Sequence, residues 1–214
     1  MMKTVLVIGA TSPTAQAFIA LMARDYPEVN LKLFVRNLKK VPAQQRQKYD
    51  VFLGNASKYT DYVASLKNVD YIYDSVGGLS TGPYVKLLLR AITEAQAPIK
   101  RIVDISAGGI YGEYLSGNLP YLSAVRVQHP QYTHDQLDKL PLFKNSGIPF
   151  TIFRPGLIQD GPETKIITHG PEFRTIPESE FAINRDTFAR AAANALFNDD
   201  YHNQSVSISN GKAL

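Results

Sequence analysis

Gly9-Ala10-Thr11-Ser12-Pro13-Thr14-Ala15 has the spacing of a G-x-x-G-x-x-G loop, with Ser12 and Ala15 in place of the second and third glycines. A glycine turn between a buried strand and a helix aims free backbone N–H groups and the positive end of the helix dipole at a pyrophosphate. Ala15 still permits close helix packing. Ser12 puts a side chain where backbone should approach the phosphates, so its hydroxyl must bond to them or turn aside. A plain tight turn is the competing reading of this segment. Twenty-one residues after Ala15 stands Arg36, where a site for NAD(H) carries an acidic residue on the ribose 2′-hydroxyl. A guanidinium fork there fits a 2′-phosphate, so the position favours NADP(H), with NAD(H) second. Asn37, Lys39 and Lys40 follow, and the two lysines read as solvated loop charge.

These residues need a strand before the glycine and a helix after it. Thr4 to Ile8 is a β-branched apolar run closed by Gly9, the pattern of a strand buried on both faces of a parallel sheet. Pro13 suits a first helical turn, with Thr11 or Ser12 as cap. Ala15, Phe18, Ile19 and Met22 then recur at helical spacing. The alternation continues, with strands expected at 31–35, 51–53, 71–73, 102–105, 150–153 and 206–208. Helices are expected at 59–66, 84–95, 131–144 and 185–197, the third needing a kink or irregular turn at Pro141. Strands alternating with helices predict a doubly wound parallel α/β sheet with helices on both faces. Two Gly- and Pro-rich segments, 107–130 and 155–177, break the rhythm and read as loops over the carboxyl ends of the strands, where ligands bind. Tyr111, Tyr114 and Tyr121 in the first are read either as an aromatic substrate mouth or as exposed loop tyrosines.

At 214 residues the chain has the length of one domain, 1–214, with a small substrate-side insertion near 155–185. Its 44% hydrophobic and 20% charged residues support an ordinary core. The lack of cysteine excludes disulfides, a thiol nucleophile, iron–sulfur clusters and thiolate zinc sites. The net charge of +4 is scattered, so no nucleic acid is implied. His129, His134, His169 and His202 lack metal-ligand spacing, and no metal is expected. The apolar N-terminal run is too short for a signal peptide or a membrane span. The expectation is a soluble cytoplasmic protein, monomer or homodimer, acting on a small molecule and bound to no membrane.

Val-Ile-Gly-Ala-Thr at 7–11, Phe-Val-Arg-Asn at 34–37, Asp-Ser-Val-Gly-Gly at 74–78 and Ile-Ser-Ala-Gly-Gly at 105–109 recur beside Ser-Gly-Ile-Pro-Phe-Thr-Ile-Phe-Arg-Pro-Gly at 146–156 and Ile-Asn-Arg-Asp-Thr-Phe-Ala at 183–189. Together they resemble the atypical, NmrA-like branch of the short-chain dehydrogenase/reductase superfamily, small NAD(P)H-binding proteins also grouped with NAD-dependent epimerase/dehydratases. The resemblance spans nearly the whole chain and implies a Rossmann-like fold with a small C-terminal substrate lid. It places Gly54, Asn55 and Ala56 around the adenine, Val76 and Gly77 by the ribose, and Pro155, Gly156 and Leu157 by the nicotinamide. The family's catalytic set is a serine after the fifth strand plus Tyr-x-x-x-Lys on the next helix. Ser106 matches the serine and Tyr132 the tyrosine, but Gln136 stands where the lysine belongs.

In the family that lysine lowers the tyrosine pKa for proton exchange with substrate. Gln136 cannot do so by charge; Lys139, one turn on, could reach the same face, but a solvated lysine is the preferred reading. Tyr132 is thus open to a catalytic or a packing role, and Ser106 to holding substrate or only touching the nicotinamide ribose. Two functions follow: an NADP(H)-dependent oxidoreductase passing hydride to a quinone, flavin-like compound or carbonyl, or a non-catalytic NADP(H)-sensing regulator. The roughly thirty residues between Gly156 and the last helix disfavour a sugar-nucleotide epimerase.

Overall fold

The computed structural model describes residues 3–77, 82–111, 129–170 and 182–213. In chain order these form β1 (Thr4–Ile8), α1 (Pro13–Asp25), β2 (Asn30–Val35), α2 (Ala43–Lys48), β3 (Asp50–Leu53), α3 (Tyr59–Ser65), β4 (Tyr71–Asp74), α4 (Gly82–Glu94) and β5 (Arg101–Ile105). There follow α5 (Pro130–Ser146), β6 (Phe150–Pro155), β7 (Leu157–Gln159), β8 (Thr164–His169), β9 (Ala182–Asn184), α6 (Arg185–Phe197) and β10 (Gln204–Ala213).

Successive strand residues point to opposite faces, and β1 shows both uses. Val5 and Val7 enter one core with Phe18 and Met22 of α1 and Phe188 and Ala192 of α6. Leu6 and Ile8 enter a second core with Tyr62 of α3, Val85 and Leu88 of α4 and Phe143 of α5. The main sheet runs β3-β2-β1-β4-β5-β6-β10-β8, parallel except where β8 pairs antiparallel with β10. Strand order reverses between β1 and β4, which makes the carboxyl ends of those two strands the place where a crevice can open. β7 and β9 form a separate parallel pair.

The doubly wound α/β architecture is therefore as the alternation implied. Segment 155–177 differs from its reading as a loop: it carries β7 and β8, and β8 closes the sheet edge. Its strand pattern was hidden because an edge strand is covered incompletely, and most of β8 is only half-buried. The short helix α2 and a 3-10 turn at Leu38–Lys40 were also not expected, having no buried residues and hence no apolar period. α5 continues through Pro141, which is exposed, so the missing backbone donor lies on the side where its loss costs least. Of the two long segments, 112–128 and 171–181 lie outside the described residues, as do Tyr114 and Tyr121, and with 171–181 much of the expected lid. Among the described residues no helix is long and apolar enough to cross a membrane.

Candidate functional site

The turn after β1 is built around Gly9, whose φ of +71° and whose missing Cβ, which would stand 3.0 Å from the Ser75 carbonyl oxygen, both require glycine. Pro13 opens α1, and the Ser12 hydroxyl caps it by accepting from the Ala15 N–H at 3.1 Å. The same hydroxyl lies 3.1 Å from Ser75 Oγ, which donates to the Ile8 carbonyl at 3.0 Å. Since Ser75 spends its proton on that carbonyl, Ser12 donates to Ser75. The Ser12 side chain has thus turned aside, joining the loop after β1 to the loop after β4. The N–H of Thr14, which has no intrahelical partner in the first turn, stays available to an anion.

Two adjoining pockets form one crevice along the carboxyl ends of the strands. The first, about 360 Å³, is lined by Gly9, Thr11 and Ser12, by Arg36, by Asn55 and Ala56, and by Val76 and Gly77. Arg36 is exposed at the end of β2 and forms no ion pair with a carboxylate among the described residues. Sequence reasoning missed Phe34, Ser75 and Tyr84 in this lining; Lys40, exposed as its reading as loop charge implied, also borders the pocket. Gly54 also contributes, because a Cβ there would come within 2.6 Å of the Phe34 ring. Asn55 Oδ1 accepts from both the backbone N–H and the hydroxyl of Ser57, which leaves its amide NH2 to face a ligand. A larger cleft of about 450 Å³, bordered by Lys32, Lys48 and Lys67, lies at the amino ends of β1 and β2, away from this constellation.

The second pocket, about 220 Å³, shares Ser12, Ser75, Val76 and Gly77 with the first and adds Thr14, Ile105, Ser106, Tyr132, Gln136 and Ile158. Ser106 Oγ is buried with no hydrogen-bond partner among the described residues. Tyr132 is half-buried, and burial alone raises its phenol above the ordinary tyrosine value. Gln136 is buried on the next turn of α5. Pro155 ends β6, its carbonyl accepting from the Gly108 N–H at 2.7 Å, and Gly156 follows. Neither residue, nor the exposed Leu157, lines the pockets; Ile158 is the contribution of that segment. Arg154, in the sequence block that carried most of the resemblance, is fully buried, donates to Ser205 Oγ on β10 and lies 4.8 Å from the Tyr111 ring centroid. It therefore braces the sheet end, and Tyr111 packs on it.

Lys139 is the clearest correction. It is 1% exposed and not solvated, with Nζ 2.8 Å from Asp104 Oδ1 and 2.8 Å from the Ile105 carbonyl. Beside Asp104 in register on the next strand lies Asp74, whose carboxyl is pushed up to about 7 by burial and by the Asp104 charge. Little in the apolar periodicity could have revealed this, because beside Phe143 the buried residues of α5 are polar: Thr133, Asp135, Gln136 and Lys139.

Several features suit a dinucleotide in the crevice: the glycine cradle, the free helix N-terminus, the unpartnered Ser106 hydroxyl and the exposed guanidinium at its far end. A sequence profile of an NAD(P)H-binding family matches residues 9–199. No curated protein sequence matches significantly. Among solved structures, a short-chain dehydrogenase/reductase from Veillonella parvula in complex with NADP superposes with a TM-score of 0.81 at 18% identity, over 100% of this chain and 98% of that one. A Rossmann-fold NAD(P)-binding family protein from Shigella flexneri gives 0.77 at 17% identity, covering 100% and 97%. An anaerobillin reductase from Escherichia coli O157:H7 gives 0.74 at 18% identity, covering 97% of each. At these identities the likeness is one of fold.

Proposed function

Because the chain belongs to the NAD(P)H-binding family, we propose that it is an NADP(H)-dependent oxidoreductase that passes hydride to a small acceptor bound over Ser106 and Tyr132. The observation that carries this reading is one continuous crevice with Arg36 at one end and Ser106, Tyr132 and Gln136 at the other. Its adenine end would use Asn55 and Ala56, its ribose Val76 and Gly77, its pyrophosphate the turn from Gly9 to Ala15, and its 2′-phosphate Arg36 with Lys40 alongside. The segment from Pro155 to Leu157 would border the nicotinamide through its backbone, with Ile158 inside the pocket. Bound there, the cofactor supplies the hydride.

The protein's contribution is to orient the acceptor. Ser106 Oγ is a buried donor with no partner among the described residues, and Tyr132 offers a phenol that keeps its proton at neutral pH. Gln136 brings no positive charge to lower that phenol. Acceptors that take their proton from water, such as quinones and flavins, are therefore favoured over simple ketones, whose developing alkoxide needs a protein donor.

Calorimetric titration distinguishes the cofactors: Arg36→Ala should weaken NADPH by about one to two decades, roughly 1.5 to 3 kcal/mol, and leave NADH little changed. Equal affinity for NADPH and NADH in the unmutated protein overturns the preference. NADPH oxidation is then assayed with quinones, flavins and ketones, in the unmutated protein and in Tyr132→Phe. Quinone or flavin turnover should survive that change within about tenfold. If ketone reduction dominates and falls by about three decades in the variant, Tyr132 is a full proton donor despite Gln136. The second reading, an NADP(H) sensor without turnover, is favoured by Gln136 itself; tight NADPH binding with no oxidation by any acceptor would establish it.

A further inference from the structure

Three charged side chains sit sealed beneath the reaction end of the crevice, and the reaction as described uses none of them. Lys139 and Asp104 form an ion pair in which neither side chain is more than 2% exposed. Asp74 is 3% exposed and faces Asp104 across adjacent parallel strands. Its Oδ1 accepts from the Val76 N–H at 2.9 Å, so it is tied to the loop that borders both pockets. Among the described residues the groups nearby are phenols, Tyr62 of α3 within electrostatic reach of Asp74, Asp104 and Tyr84 of α4, and Tyr73 of β4 within reach of Asp74, while α5 itself carries a further buried carboxyl, Asp135, one turn before Lys139. Burying such a set costs more than packing apolar side chains of the same volume, so its placement calls for a reason.

The contacts of Lys139 supply one. Its ammonium binds the carbonyl of Ile105, and the very next N–H, that of Ser106, donates to the Phe153 carbonyl at 2.8 Å. The Ile105–Ser106 peptide is thereby gripped from both sides, by α5 at its carbonyl and by β6 at its amide. Lys139 also stands one turn beyond Gln136 and two beyond Tyr132 on the same buried stripe.

We infer that Lys139 is a positioning residue: its ammonium, neutralised by Asp104, fixes the peptide that presents Ser106 against the helix face that presents Tyr132 and Gln136, with Asp74 in register beside Asp104. The inference rests on reading the crevice as a reaction site. It also separates two tasks that one lysine at position 136 would combine. Among the described residues Tyr132 is raised by burial and by no neighbouring charge, while geometry is kept by a lysine placed one turn deeper. With every member ionised, two carboxylates share one ammonium, and its grip on the Ile105 carbonyl weakens. Protonation of Asp74 restores a one-to-one pair.

The test is amide hydrogen exchange of the cofactor-free protein, read at Ser106 and Gly108, whose N–H groups donate to Phe153 and Pro155. In Lys139→Gln these two amides should exchange at least about tenfold faster while those of β1 and β2 stay within about twofold, and Lys139→Arg should recover part of the protection. The kinetic counterpart is a kcat lowered by about tenfold or more with the NADPH dissociation constant within about threefold. If Lys139→Gln does not fold, Asp74→Asn carries the test, because it keeps the ion pair and removes the titrating carboxyl. Protection at Ser106 and Gly108, corrected for intrinsic exchange chemistry, should then decline through about pH 7 in the unmutated protein and not in Asp74→Asn. Unchanged protection at those amides, a loss spread evenly over the sheet, or a pH decline that persists in Asp74→Asn each overturns the inference. Exchange is read without cofactor, so absence of NADPH binding would sink the proposed function and leave this result standing, and the converse also holds.

Discussion

Helices α1 and α5 flank the same crevice from opposite sides of the switch point, yet they are held to the sheet by different physics. α1 buries Ala15, Phe18, Ile19 and Met22, so its docking is hydrophobic and non-directional. α5 buries Thr133, Asp135, Gln136 and Lys139 beside Phe143, so much of its docking depends on partnered polar groups. An apolar face tolerates small shifts. A buried ammonium does not, because each lost partner leaves an uncompensated charge. The cofactor side of the crevice is thus anchored by packing and capping, and the reaction side by electrostatics.

The contrast is sharpest at Lys139. Lys139→Gln leaves Asp104 and Asp74 without a cation and should destabilise the fold by about 3 to 5 kcal/mol, measured by urea unfolding at pH 8. A loss below about 1 kcal/mol would mean that α5 docks by packing after all.

The next effect is on pH. Asp74, ordinarily near 3.8, is raised to about 7 in the folded chain. Between those values the folded state keeps a proton that the unfolded chain has released, so stability falls as pH rises from about 4 to about 7 and levels off above. Asp104 is raised in the same direction, burial being the main cause. Asp74→Asn should flatten that decline and make the protein more stable at pH 8, by about 1 to 4 kcal/mol. A denaturation series from pH 5 to pH 8 that shows the same slope in both proteins would remove Asp74 from the account.

The smallest effect is expected on the cofactor side. Ser12→Ala removes the cap on Ala15 and the bond to Ser75, and should cost about 0.5 to 2 kcal/mol in thermal or urea unfolding. NADPH affinity should change little, because the hydroxyl faces Ser75. A large loss of affinity with unchanged stability would show that Ser12 turns back to the phosphates when ligand binds.

The same asymmetry governed what the sequence disclosed. Gly9, Pro13 and Arg36 were legible because local geometry demands them: a left-handed turn, a first helical turn, and the end of a strand at a fixed distance from the loop. The strand and helix alternation was legible because continuous apolar runs in strands and apolar residues at a period of 3.6 in helices report burial directly. β8 was missed because a sheet edge is only half covered. Lys139 was misread because a charged residue on a helix is normally solvated, and only its neighbours reveal the exception.

From its residues alone, then, this chain determined a doubly wound α/β sheet and a glycine turn fit for a dinucleotide. Both follow from interactions among residues near one another in sequence, or from burial patterns repeated along each element. What only tertiary structure decided is where Ser12 spends its hydroxyl, that Ser106, Tyr132 and Gln136 border one pocket, and that Asp74, Asp104 and Lys139 meet beneath it. Ser12 and Ser75 are 63 positions apart and Lys139 and Asp104 are 35 apart, and a polar side chain is neutral to the sequence pattern until folding assigns it a partner or leaves it without one.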